Sequence, residues 1–225
     1  MPMPTTAMNM WRPALIKLSR TAAISSISRD GTYVTYITSS SHNFVAGEPI
    51  VITGASSTGF NITGTIYDVP NSTTFRIASA ATGTTSTATG TVIYYLSDHN
   101  RAPVQESNER IENAKRMANG TMRKYVVSNK KTFAVSWTML PSLSTQTIDG
   151  YLGAMSLRNF YDLNYGKSIV LNLYTGTTSV STQAKGTSPS PTASYTVFIS
   201  DFSATINKRL GDIDYWDVSI SFEEA

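Results

Sequence analysis

Lys131-Thr132-Phe133-Ala134-Val135-Ser136-Trp137-Thr138-Met139 alternates side chains that avoid water with side chains that accept it. Successive side chains of a β-strand point to opposite faces, so a period of two marks a strand with one buried face. Phe133, Val135, Trp137 and Met139 form the inward set, and Pro141 ends the strand because it has no N–H to donate. The same texture returns near the end of the chain, where Trp216, Val218, Ile220 and Phe222 alternate with Asp217, Ser219 and Ser221. Phe133, Val135, Trp137, Trp216, Val218 and Ile220 are therefore expected in one core.

Working outward, Asn119-Gly120 is a two-residue hairpin signal, because both residues tolerate the positive φ that such a turn needs. Residues 109–118 and 121–127 should pair across it, with a second turn at 128–131. Downstream, Ile148, Tyr151, Leu152 and Met155 are spaced i, i+3, i+4, i+7, which predicts one helix with Ile148 and Leu152 facing the core. Ser144 or Thr145 would cap it, residues 164–166 would stop it, and Gly150 and Gly153 weaken it by up to about 1 kcal/mol each. Strands are expected at 169–174, 195–206 and 215–222, with a turn at 208–212. Residues 177–192 read as a mobile loop, too polar and Pro-rich to pack.

Upstream the composition changes: residues 21–95 hold only two basic and three acidic side chains. Asp30-Gly31 is a hairpin signal, followed by strands at 33–38, 50–52, 62–69 and 74–77, with a flexible low-complexity tip at 83–91. Short strands at this spacing suggest a small sandwich or barrel. The order His42-Asn43-Phe44, Gly47, Ile50-Val51-Ile52-Thr53-Gly54, Gly59-Phe60-Asn61 and Val69-Pro70-Asn71-Ser72-Thr73-Thr74-Phe75 resembles a small all-β module that recurs in bacteriophage structural proteins, where it is an accessory insertion of immunoglobulin-like type. His42 reads as a turn residue bonded to nearby backbone.

From Lys130 onward the order strand, helix, strand, long loop, strand, turn, strand, together with the hairpin at Asn119-Gly120, resembles the tail-tube fold of long-tailed phages, a β-sandwich flanked by one helix. The stretches Lys131 to Trp137, Ser200-Asp201-Phe202-Ser203-Ala204-Thr205-Ile206 and Trp216 to Phe222 carry that likeness. The resemblance implies a mainly β chain: residues 1–20 as an N-terminal arm and first strand, 21–95 as an inserted module, and 96–225 as the tube-like sandwich. It implies a phage virion structural protein made in the host cytoplasm, assembling into hexameric rings that stack to form the tail tube. Distal tail (baseplate) and tail-terminator proteins use the same fold, and fold alone does not choose among them.

Charge agrees with an assembly role. The chain of 225 residues carries a net charge of +3, distributed as +3 over residues 1–20, −2 over 21–100, +5 over 101–131 and −3 over 132–225. Arg110, Lys115, Arg116, Arg123 and Lys124 against Asp212 and Asp214 are the candidate subunit-interface residues, setting register between copies. Glu106, Glu109 and Glu112 interrupt the basic run, which argues against sequence-specific nucleic-acid binding, although DNA could pass through a ring's lumen.

Nothing supports catalysis or a cofactor. There is no cysteine, and only His42 and His99 could supply imidazole. Gly166-Lys167-Ser168 lacks the upstream glycine of a phosphate loop, since position 161 is Tyr, and it precedes a strand. Asp212, Asp214 and Asp217 lack the glycine and distal glutamate of a calcium loop. Asn61, Asn71 and Asn119 match glycosylation sequons, read as chance because no signal peptide precedes them. No run of apolar residues is long enough for a membrane helix, so no membrane partner is expected and the chain reads as soluble. Tyr33, Tyr36, Tyr94 and Tyr95 leave open a carbohydrate-binding sandwich, or glycan contact by the 21–95 module.

Overall fold

A computed structural model describes residues 15–81, 87–174 and 193–225. Its strands run β1 (Ile16–Arg29), β2 (Tyr33–Thr38), β3 (Pro49–Thr53), β4 (Thr63–Asn71), β5 (Thr74–Ala78), β6 (Ala88–Tyr95), β7 (Gln105–Arg116) and β8 (Met122–Pro141). Helix α1 (Ala154–Asn164) follows, then β9 (Ile169–Leu173), β10 (Ala193–Leu210) and β11 (Ile213–Glu224). The chain is mainly β, and it divides into two compact units: residues 1–96 with 169–194, and residues 97–168 with 195–225.

The first unit holds a closed barrel. Its hydrogen-bonded order is β2-β5-β4-β3-β6-β1-β9, and an additional β1–β2 pairing closes six of these strands into a ring, with β9 outside it. β1 makes closure possible by serving three neighbours. Residues Lys17–Ile24 pair with β6, Ile24–Arg29 with β2, and Ile16–Ser19 with β9. A register shift between Ile24 and Ser26 turns the strand, and it explains why the buried set runs Ile16, Leu18, Arg20, Ala22, Ile24 and then changes phase to Ile27. The Asp30-Gly31 turn forms as read: Gly31 sits at φ 97, and the Asp30 carboxylate accepts from the Thr32 N–H (2.8 Å) and the Tyr33 N–H (2.7 Å). Those two bonds hold the Asp30 carboxyl below its usual pKa. The interior is filled by Val34, Tyr36, Phe44, Ile50, Ile52, Phe60, Ile66, Phe75, Ile77 and Val92.

Two expectations change here. Residues 88–91, read as part of a flexible tip, belong to β6, and 89–91 pair on both sides; a Cβ on Gly90 would meet the δ-methyls of Ile52, Ile24 and Ile50 at 3.3–3.4 Å. Glycine there fits a crowded interior rather than a loose turn. The expected boundary at residue 20 also falls inside a continuous β1, and β9 joins this unit, so the barrel's compact unit extends beyond 21–95. Hydrogen bonding of β1 to β6 and β9 explains the wider limits. The arm at residues 1–14 and the whole 177–192 loop lie outside the described residues.

The second unit is an open antiparallel sheet of order β10-β11-β8-β7 with α1 and its core residues. Phe133, Val135, Trp137, Val218, Ile220 and Phe222 are buried as the alternation requires, together with Leu140, Val197, Ile199, Leu157 and Phe160. Trp137 donates its Nε1–H to the Ser97 carbonyl at 2.7 Å, which satisfies the one polar atom of a side chain 1% exposed.

A bulge corrects the end of the alternation. The β8–β11 register shifts between Trp216 and Val218, Met139 takes φ 55, and its N–H turns to the Asp217 carboxylate at 3.0 Å. The inward position passes from Met139 to Leu140, and Trp216 becomes half-buried, donating to Ser142 Oγ at 3.0 Å.

The helix is shorter than expected and presents another face. It begins at Ala154, and Ala154, Leu157, Phe160 and Asn164 are its buried residues. Ile148, expected in the core, is 77% exposed, and Leu152 is half-buried in an isolated bridge before the helix. Turns occupy the segment instead. Asp149 accepts from Ser97 Oγ (2.8 Å) and the Asp98 N–H (2.7 Å), Gly150 stands at φ 72, and residues 144–146 form a 3-10 turn. Gly153 then passes so close to β8's end that a Cβ would lie 2.6–2.8 Å from backbone atoms of Pro141, Ser142 and Leu143. The glycine that looked like a weak helix interior is the residue that allows the helix to start there. The tight turn before β11 is also narrower than 208–212, since β10 runs to Leu210 and the chain reverses at Gly211 with φ 60.

Candidate functional site

The turn expected at 128–131 is absent: β8 continues for 20 residues, and Asn119-Gly120 with Gly120 at φ 79 closes one long hairpin with β7. β11 pairs β8 only between Thr132 and Pro141. Residues 105–131 are thus a two-stranded ribbon whose distal part, ten residues of β8, extends roughly 30 Å beyond its neighbour strand at about 3.3 Å per residue. Every residue of β7 is exposed.

Pairing fixes what each face carries, because directly opposite residues share a face. On one face lie Glu106, Arg110, Glu112, Arg116, Lys124 and Lys131; on the other lie Glu109, Ile111, Lys115, Arg123, Tyr125 and Lys130. Lys124 bonds Glu112 at 2.6 Å, Arg110 stands 3.8 Å from the same carboxylate, and Lys131 pairs with Glu106 and with Tyr195 Oη at 2.9 Å. Glu106 and then Tyr195 hold the Lys131 ammonium above its ordinary pKa. Beyond Glu112 the ribbon carries Lys115, Arg116, Arg123 and Lys124 and no acid. Its apolar side chains face water: Tyr125 is 71% exposed, Val127 63%, Met122 56% and Ile111 54%.

One of the two expected acidic counterparts is engaged within its own strand pair. Asp214 takes a two-point bond from Arg209, 2.6 Å from Nε and 3.2 Å from Nη2, which lowers its pKa, while Asp212 lies exposed in the turn.

The barrel interior holds a group that sequence reading missed. Arg20, 6% exposed, forms an ion pair with Glu48, 0% exposed, and donates to the Asn43 carbonyl. Glu48 also accepts from Tyr94 Oη (3.0 Å) and the Val45 N–H (2.8 Å). The signal was present: Arg20 falls on the buried phase of β1 between Leu18 and Ala22. His42 behaves as expected, its Nδ1 accepting from the Phe44 N–H at 2.9 Å, and burial pushes its pKa down.

Of the tyrosines considered for sugar contact, Tyr36 is fully buried with its hydroxyl on the Phe60 carbonyl, and Tyr94 is buried against Glu48. Their strand phase points them inward. Tyr33 and Tyr95 are half-buried. Among the described residues no group of His, Asp or Glu could hold a metal ion, and no helix is long and apolar enough to cross a membrane. No protein-family model matches this chain, and no match to a curated protein is found.

Proposed function

We propose that this protein is a structural subunit of a bacteriophage tail that self-assembles through the β7–β8 ribbon, forming hexameric rings that stack into the tail tube. The observation that supports assembly is the ribbon. A lone two-stranded hairpin is marginal in water, and this one leaves both faces and its outer edges to solvent, with Ile111, Met122, Tyr125, Val126 and Val127 exposed. Docked on a neighbouring subunit, the same strands would bury that apolar surface and offer their free N–H and C=O groups for pairing. The phage setting, the virion location and the six-fold ring rest on the likeness of strand order and texture to tail-tube proteins.

Excision of the ribbon tests this. Asn108 and Lys131 are directly opposite, so a two-residue Asn-Gly turn can replace residues 109–130 without touching a core side chain. The shortened protein is expected to keep its unfolding free energy to within about 1 kcal/mol while losing self-association in light scattering. A folded shortened protein that assembles like the intact chain would remove the ribbon from the interface.

A further inference from the structure

On the outer wall of the barrel, β4 and β5 fall out of register between Ile66 and Asp68. A bulge places two consecutive residues on one side of a strand where alternation would separate them. Ile66 remains buried, while Tyr67 is 54% exposed beside a half-buried Asp68. Both meet residues of β2 and β5. Tyr67 lies 4.6 Å from the Tyr33 ring, the Arg76 guanidinium lies 5.3 Å from the Tyr33 ring centroid, and Arg76 grips Asp68 with both arms of its fork, Nε to Oδ1 at 2.7 Å. None of this serves the core, because all four side chains are on the solvent side.

We propose that Tyr33, Tyr67, Arg76 and Asp68 form a binding platform for a neutral pyranose ring of a saccharide. A sugar presents a face of C–H groups and a rim of hydroxyls, each both donor and acceptor. The exposed Tyr67 ring matches the C–H face. The bidentate Arg76–Asp68 pair, which donates and accepts side by side in a fixed plane, matches neighbouring hydroxyls. The pair is neutral as a unit, and the hydrogen bonds between the two groups hold the Asp68 carboxyl below and the Arg76 guanidinium above their ordinary pKa values, so it stays ion-paired at neutral pH. An anionic ligand would face the Asp68 carboxylate and the nearby Asp30, which disfavours a phosphate or an acidic sugar. This site goes beyond the assembly reading and does not depend on it.

Saturation-transfer NMR on the full chain tests the platform with methyl glycosides of β-glucose, β-galactose and α-mannose, and with the methyl glycoside of N-acetylneuraminic acid as the acidic comparison. Transfer to the ring C–H protons of at least one neutral glycoside is expected. Tyr67→Ala, at an exposed position, should weaken binding by about tenfold or more, about 1.4 kcal/mol, while Tyr67→Phe retains it because the stacking face remains. Absence of transfer to all three neutral glycosides overturns the proposal. So does preference for the acidic sugar, or undiminished transfer in a Tyr67→Ala protein whose melting matches that of the parent.

Discussion

Replacing Glu48 with Ala is expected to destabilise the barrel by about 3–5 kcal/mol. Glu48 is fully buried, and its removal leaves the Arg20 guanidinium inside the barrel with the Asn43 carbonyl and the Phe44 ring but no counter-charge, while Tyr94 Oη and the Val45 N–H lose their bonds to Glu48. The penalty is that of leaving charge and donors uncompensated, not the worth of an ion pair. The double replacement Arg20→Met with Glu48→Leu should therefore recover the part of the loss due to stranded charge, since it removes both charges and fills a similar volume, while the Val45 N–H still lacks its Glu48 acceptor. Urea unfolding of the parent, the single and the double variant measures this, and a Glu48→Ala shift below about 1 kcal/mol would mean that water reaches the pair.

Trp137→Ala should cost the second unit about 3–5 kcal/mol. The ring is 1% exposed in the part of β8 that pairs with β11, and its Nε1–H satisfies the Ser97 carbonyl. Trp137→Phe keeps much of the volume but leaves that carbonyl without its donor, so it should fall between parent and alanine. Denaturant midpoints for the three proteins check the order. Equal losses for Phe and Ala would assign the whole effect to the hydrogen bond. Trp216, which shares the strand texture but sits half-buried past a bulge, should be the milder site.

The contrast between those tryptophans shows what can be read from pattern. Phe133, Val135, Trp137, Val218, Ile220 and Phe222 follow a period of two, and pairing preserved it, so the core of the sheet was legible. Met139 and Trp216 follow the same period and depart from it because a bulge at Asp217 is a tertiary event with no local signature. Ile148 and Leu152 showed helical spacing by coincidence. Asp149 and Gly150 already formed a turn, and Gly153 was needed for a close approach that only folded neighbours reveal. Polar residues 128–131 look like a turn but form strand, because Asn108, Glu109 and Arg110 stand opposite them.

The candidate site was legible in part. Charge segmentation drew attention to Arg110, Lys115, Arg116, Arg123 and Lys124, and all five lie on the exposed ribbon. That Asp214 answers to Arg209 depends on strand register, which composition does not carry. Nor could periodicity find the Tyr67–Asp68 pair, because a bulge again sets two adjacent side chains on one face.

The central claim is that the ribbon exists to be covered by another copy. Negative-stain imaging of the purified intact protein over a concentration series, with mass measured by light scattering on the same samples, tests it most directly. The account predicts six-fold rings, single or stacked, whose fraction grows with concentration. A particle of constant monomer mass at every concentration, with a ribbon that exchanges its amide protons as slowly as the sheet does, would contradict it, because the hairpin would then be stable with nothing against it.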